Sequence, residues 1–196
     1  MLDRFYPIVD SADWVRRFVP LGARFIQLRI KDVPEDDARR QIAEAQDGCR
    51  RAGATLVVND YWQAAIDLGC DYVHLGQEDL AVADVAAIRR AGLRLGVSSH
   101  DEAELETALA VQPDYVALGP IYPTILKKMK WAPQGLDRIG AWKKKIGDVP
   151  LVAIGGITVE RAPGVFAAGA DSIAVVTDLL LAENPDARFA EWRALT

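Results

Sequence analysis

The chain has 196 residues, 51% of them hydrophobic, with 23 lysines and arginines against 28 aspartates and glutamates and a formal net charge of −5. That length supplies one well-buried core and falls short of two ordinary domains, so residues 1–196 are read as a single domain. The acidic balance argues against general nucleic-acid affinity, and no apolar stretch reaches the length of a membrane-spanning helix. The N-terminal MLDRFYPIVDSADW lacks the basic-then-apolar order of a secretory signal, so a cytoplasmic location is expected.

Short runs rich in Val, Ile, Leu and Tyr recur along the chain and read as strands: FYPIV 5–9, FIQLRI 25–30, TLVV 55–58, YVHL 72–75, LRLGV 93–97, YVALG 115–119, LVAIG 151–155 and SIAVV 172–176. Helical composition separates most of them, at 34–53, 82–92, 101–111 and 159–169, and glycines 53, 69, 92 and 169 close helices before the next strand. Alternation of strand and helix demands parallel pairing, and near-continuous apolar strands imply that both of their faces are covered. Eight such units predict a closed (β/α)8 TIM barrel; an open doubly wound sheet is the competing architecture. The chain is short for the barrel, which commonly runs to about 250 residues, so loops must be lean and several helices brief. The most irregular stretch, 123–135, follows the sixth strand and is long enough to act as a lid. Cys49 and Cys70 have no metal-ligand spacing and read as small buried residues without a disulfide.

In a parallel barrel the site lies at the C-terminal ends of the strands, and polar clusters follow the apolar runs there. Gln27, Arg29 and Lys31 alternate, so they point together into the mouth while Leu28 and Ile30 face the helices. Two inward cations suit an anion; the competing reading is an internal ion pair with Asp60 or Asp79. These two aspartates end adjacent units. Hard oxygen ligands one strand apart suit Mg²⁺ completed by substrate phosphate and water, while helix capping is the alternative for each alone. Gly155-Gly156 and Val176-Thr177 each lead into helix, where backbone N–H groups suit a phosphate monoester unless they are ordinary tight turns. His74, inside an apolar run, reads as a hydrogen-bonded core residue. His100 reads as an acid or base, or as a loop residue beside Asp101. Ser98 has no histidine–aspartate relay near it in sequence, so it reads as a hydroxyl hydrogen-bonding to substrate.

The motifs QLRIK, VVND, HLGQED, GVSSH, GPIYPT with a following lysine, AIGGI and AGADSIAVVT, in this order and spacing, resemble the thiamine phosphate synthase family over essentially the whole chain. The resemblance implies a barrel enzyme that joins 4-amino-2-methyl-5-(hydroxymethyl)pyrimidine diphosphate to a thiazole phosphate, releasing diphosphate. It implies that Gln27, Leu28, Arg29, Ile30, Lys31, Asn59, Ser98 and Lys127 hold the pyrimidine diphosphate, with Arg29, Lys31, Ser98 and Lys127 acting on the leaving group. Asp60 and Asp79 would ligate Mg²⁺. Thr124, Ile125, Leu126, the Gly156 backbone, Val176 and Thr177 would hold the thiazole phosphate. Leu126 stands where the family commonly has threonine, Ile30 where it often has an acid, and Tyr61 where it has arginine. The 127–131 stretch, KKMKW, is unusually basic and aromatic. Partners are then small-molecule substrates, with neither nucleic acid nor membrane, and a homo-oligomer is compatible. Two other functions fit parts of the pattern: a thiazole tautomerase of the same superfamily, and a non-catalytic barrel that binds a thiamine precursor.

Overall fold

The computed structural model of the chain describes residues 2–124 and 131–196. Eight strands, β1 (Phe5–Val9), β2 (Phe25–Leu28), β3 (Thr55–Asn59), β4 (Tyr72–Leu75), β5 (Arg94–Ser99), β6 (Tyr115–Leu118), β7 (Leu151–Ile154) and β8 (Ser172–Val175), pair in parallel and in chain order. β8 returns to β1 with Phe5 opposite Ile173, so the sheet is a closed barrel and the open-sheet alternative falls. β2 is shorter than its apolar run: it ends at Leu28, and Arg29 continues by donating its N–H to the Val9 carbonyl at 2.8 Å.

Alternation along each strand splits the core into two layers. Phe5, Ile26, Leu28, Leu56, Val58, Val73, Leu75, Leu95, Val97, Val116, Leu118, Leu151 and Ile173 point outward and meet the helices. Tyr6, Ile8, Phe25, Val57, Tyr72, Tyr115, Ala117, Val152 and Ala174 point inward and fill the barrel. Four of these are aromatic and pack edge-on or tilted, with Tyr6 and Phe25 centroids 4.6 Å apart and Phe25 and Tyr72 5.2 Å apart. The barrel interior is therefore a packed plug below the mouth.

The helices follow local chemistry. α2 (Glu35–Ala52) has Glu35, Asp36 and Asp37 in its first turn and Arg50 and Arg51 in its last, matching the helix dipole. Its Ala38, Ile42, Ala45 and Cys49 make one buried stripe, and Gly53 ends it in the left-handed conformation at φ 68°. The sequence reading finds α2, α5 (Val85–Arg90), α6 (Glu102–Ala110) and α8 (Ala162–Ala167) from composition, anticipates α3 (Trp62–Asp67) between Asp60 and Gly69 and α9 (Thr177–Leu180) after Val176, and misses α1 (Ala12–Phe18), α4 (Gln77–Val82), α7 (Gly135–Ile146) and α10 (Pro185–Leu195). Several are only six residues long, the brevity that a barrel in so short a chain requires. α10 starts on the side chain of Asn184, which accepts the Ala187 N–H at 3.2 Å, and carries Pro185 in its first turn. It seals the β1 side of the barrel: Trp192 stacks on Phe5 with centroids 5.4 Å apart, and Phe189 stacks on Phe18 at 5.0 Å. Cys49 and Cys70 are buried free thiols, each pushed up to about 12 chiefly by burial.

Candidate active site

The mouth of the barrel opens into a cavity of 320 Å³ lined by residues from all eight strand ends. Gln27, Arg29, Lys31, Asn59, Asp60, Asp79, Ser98, Thr124 and Val176 all face it, so the alternating placement read from QLRIK and the strand tips gathers in one place. Leu28 and Ile30 are instead buried among the outer core residues, so only their backbone is available to a ligand. Ile125, Leu126 and Lys127, and with them much of the 123–135 loop, lie outside the described residues. Thr177 lines a separate open cleft of 830 Å³ beside Arg17, Asp178 and Arg188, outside the barrel, whose two arginines are already paired with carboxylates.

Lys31 forms an ion pair with Asp60, one of the two arrangements its sequence position allows. Asn59 donates its side-chain N–H to the same carboxylate oxygen at 2.5 Å. Neither aspartate caps a helix: the caps of α3 and α4 are Tyr61 and Gly76, and neither helix start has a side-chain cap bond. Asp60 sits at φ 65°, a left-handed conformation that Asp tolerates better than most residues, and its carboxylate meets that of Asp79. Burial pushes the Asp79 carboxyl up, and the facing Asp60 carboxylate pushes it further; Lys31 opposes both. Two carboxylates are thus held together against their mutual repulsion, with Lys31 beside them.

Gly155 and Gly156 have φ of 100° and 63°. A Cβ on Gly156 would lie 2.3 Å from the Pro123 carbonyl oxygen, and one on Gly155 would lie 2.7 Å from Pro120. These glycines first serve close packing of the chain after β6 against the chain after β7, where Tyr122 donates its N–H to the Gly155 carbonyl at 3.0 Å. Gly155 lines the cavity.

His74 is buried inside the barrel, with Nδ1 2.7 Å from the Tyr115 hydroxyl and Nε2 2.8 Å from Ser98 Oγ. Ser98 therefore does have a histidine partner, from the neighbouring strand rather than from its own segment. The group behind that histidine is a tyrosine, not a carboxylate, so the activating third member of a nucleophilic triad is missing. Burial lowers the His74 pKa to about 4, Asp60 opposing and Arg29 reinforcing, which makes it a poor base at neutral pH. Because the unfolded value is about 6.5, the unfolded chain binds the extra proton first. Stability is then full above pH 6.5 and declines as pH falls toward 4, by up to about 3 kcal/mol from this group. Urea unfolding at pH 7 and pH 4.5 should show a larger drop for the parent protein than for His74→Gln; equal drops would contradict the assignment.

His100 is held by Glu104, which accepts both its backbone N–H at 2.8 Å and a contact from Nδ1 at 2.7 Å. Its ring stacks on Trp131 at 4.1 Å at the cavity rim. Tyr6, Tyr115, Gln77 and Glu104 also line or support the mouth, and the sequence reading passed over them. Gln77 donates to the Ser98 carbonyl at 2.7 Å and so fixes the tip of β5. The signal that could have found Tyr115 is Gly96, a glycine inside a strand, which marks close approach of another group. A Cβ there would lie 2.0 Å from the Tyr115 ring.

A closed parallel barrel with a carboxylate pair and cations at its mouth and, among the described residues, no nucleophilic triad there is the frame of an enzyme that works on an anionic ligand by charge. The chain belongs to the thiamine monophosphate synthase family, whose model matches residues 5–179. It is 63% identical over 195 residues to the thiamine-phosphate synthase of Rhizobium etli, covering 100% of this chain and 96% of that protein. It is 53% identical to that of Cronobacter sakazakii, covering 97% and 90%. The structure of a thiamine phosphate pyrophosphorylase from Pyrococcus furiosus superposes with a TM-score of 0.86 at 28% identity, covering 98% of this chain and 94% of that one. A 3-hexulose-6-phosphate synthase, at 18% identity and a TM-score of 0.74, shares the fold.

Proposed function

We propose that this chain is a transferase that condenses 4-amino-2-methyl-5-(hydroxymethyl)pyrimidine diphosphate with thiazole phosphate, giving thiamine phosphate and diphosphate. The observation that carries the reading is the facing Asp60 and Asp79 carboxylates, set with Lys31 and Arg29 in the barrel mouth of a chain matched over its length by this family. A tautomerase has no diphosphate to neutralise and would leave this charge arrangement without a task. A binding barrel is not the activity named for the relatives.

The C–O bond between the pyrimidine methylene and the diphosphate breaks, and the electron pair leaves with the diphosphate. The resulting benzylic-type cation is stabilised by the ring amino group, and the thiazole nitrogen then donates its lone pair to the carbon. No protein nucleophile enters, in keeping with the incomplete relay behind Ser98. Lys31, Arg29 and the Ser98 hydroxyl would take up negative charge developing on the leaving group, with Lys127 from the loop joining them. Asn59 and Gln27 would orient the pyrimidine diphosphate, and Thr124, Ile125 and Leu126 with the Gly156 backbone and Val176 the thiazole phosphate, while Thr177, in the cleft outside the barrel, leaves the set. The Asp60 and Asp79 oxygens suit Mg²⁺, which when bound would add positive charge at the diphosphate. Water must be kept from the cation, and the depth of the cavity over its aromatic floor favours that. Among the described residues no helix is long and apolar enough to cross a membrane. A cytoplasmic location belongs to this proposal, supported by two buried, unpaired thiols.

The deciding experiment combines the purified protein with pyrimidine diphosphate, thiazole phosphate and Mg²⁺, with an EDTA control and with the carboxylated thiazole phosphate in parallel. Metal-dependent thiamine phosphate is expected. No product from either thiazole would overturn the reading.

A further inference from the structure

A continuous run of hydrogen bonds crosses the barrel beneath the cavity. Gln27 Nε2 donates to the Tyr6 hydroxyl at 2.7 Å, and the Tyr6 and Tyr115 hydroxyls are 2.9 Å apart. The Tyr115 hydroxyl meets His74 Nδ1 at 2.7 Å, and His74 Nε2 meets Ser98 Oγ at 2.8 Å. Tyr6, Gln27, His74 and Tyr115 are all buried, so each hydrogen must find an acceptor within the run.

One end of this run is set by the Gln27 amide, which turns its nitrogen toward the Tyr6 hydroxyl; an amide nitrogen donates and cannot accept. With Gln27 donating, the Tyr6 oxygen accepts and its hydrogen is directed to the Tyr115 oxygen. The Tyr115 hydrogen is then directed to His74 Nδ1, which must be unprotonated. A neutral imidazole carries its one hydrogen on Nε2, so it donates to Ser98 Oγ. Running the bonds the other way would aim the Tyr6 O–H at the Gln27 N–H, leaving a buried donor facing a donor. Ser98 therefore accepts from below. Among the described residues no acceptor takes its hydroxyl hydrogen, and Ser98 faces the cavity.

We propose that the Gln27–Tyr6–Tyr115–His74 relay sets the polarity of Ser98, so that Ser98 acts toward the bound pyrimidine diphosphate as a hydrogen-bond donor to an acceptor atom. Tyr115 and His74 are positioning residues that act through Ser98. The inference rests on the reading of the barrel mouth as the pyrimidine diphosphate site. The fold is arranged for it: Tyr115 lies flat against Gly96, where a Cβ would come within 2.0 Å of its ring, and its ring stacks on that of His74 at 5.5 Å. This relay accounts for the burial of two tyrosyl hydroxyls and an imidazole in an otherwise apolar interior.

The chain has two histidines, so long-range ¹H–¹⁵N correlation of the uniformly labelled protein resolves both rings, and His74→Gln assigns them. At pH 7.5 His74 is expected as the neutral tautomer with hydrogen on Nε2. Hydrogen on Nδ1, or an imidazolium, would overturn the proposal. In parallel, Tyr115→Phe keeps the ring against Gly96 and removes only the hydroxyl. It should lower kcat/KM about five- to tenfold, the effect of one hydrogen bond. In a Ser98→Ala background the same change should cost nothing further, since its effect passes through Ser98. An undiminished loss in that background would overturn the relay. If Tyr115→Phe fails to fold, the tautomer measurement on the parent protein still decides. A parent protein that makes no thiamine phosphate would defeat the proposed function while leaving the tautomer result to stand or fall by itself.

Discussion

Asp60→Ala should lower turnover about a hundredfold, in line with loss of one preorganised electrostatic contact at a leaving group. The size follows from how many groups converge on this carboxylate. It pairs with Lys31, accepts from Asn59 and faces Asp79. Its removal frees Lys31 from the position that points its ammonium into the mouth, takes away half of the oxygen pair suited to a divalent cation, and leaves Asn59 without its acceptor. It also removes the facing carboxylate that raises the Asp79 carboxyl, leaving burial against Lys31 and a backbone hydrogen bond, so Asp79 ionises more readily in the variant. On the proposed Mg²⁺ role the compensation is incomplete, because one carboxylate would offer the cation half of the oxygens that the pair offers. Steady-state assays across Mg²⁺ concentration check this: a fall in maximal rate together with a rightward shift of the Mg²⁺ dependence is expected, and parental rates at ordinary Mg²⁺ would defeat the site assignment.

Trp192→Ala should cost about 3–5 kcal/mol of stability, the range for truncating a large buried aromatic. Trp192 is fully buried, stacks on Phe5 at the first strand and donates its indole N–H to Asp178 at 2.8 Å. Asp178 is gripped on both oxygens by Arg188, at 2.8 and 2.9 Å, and Arg188 also reaches Glu160 and Glu191. The variant therefore opens a cavity at the seam where β8 returns to β1 and removes one donor from a carboxylate that the last two helices share. Urea denaturation followed by far-UV circular dichroism reads the loss directly. A change below about 1 kcal/mol would mean that the C-terminal helix rests on the barrel without stabilising it.

The eight strands could be read from the chain because each is apolar on both faces; strict alternation with helix required parallel pairing, and the count of eight favoured closure. The helices that escaped notice escaped for physical reasons. α4 is six residues long and begins without a capping side chain, so no terminal signal announces it. α7 carries Gly135 and Gly140 with a Lys143-Lys144-Lys145 run, which blurs its apolar stripe although Ile139, Trp142 and Ile146 are buried in spacing. At the site, Arg29, Lys31, Asn59, Asp60, Asp79 and Ser98 were legible because polar residues directly after apolar strands have few other places to go. What was not legible depends on register across the barrel. Gly96 lies opposite both His74 and Tyr115, and only that alignment places the histidine under Ser98 and the tyrosine behind the histidine. Spacing along the chain suggested His100 for this neighbourhood, but that ring is occupied with Glu104 and Trp131.

The aromatic plug of Tyr6, Phe25, Tyr72 and Tyr115 gives the barrel a floor. Among the described residues, the cavity above it is lined from the strand ends, so whatever binds there meets rings and hydroxyls held by the interior of the barrel, and a change of ring in the floor reaches the ligand without touching the residues of the rim.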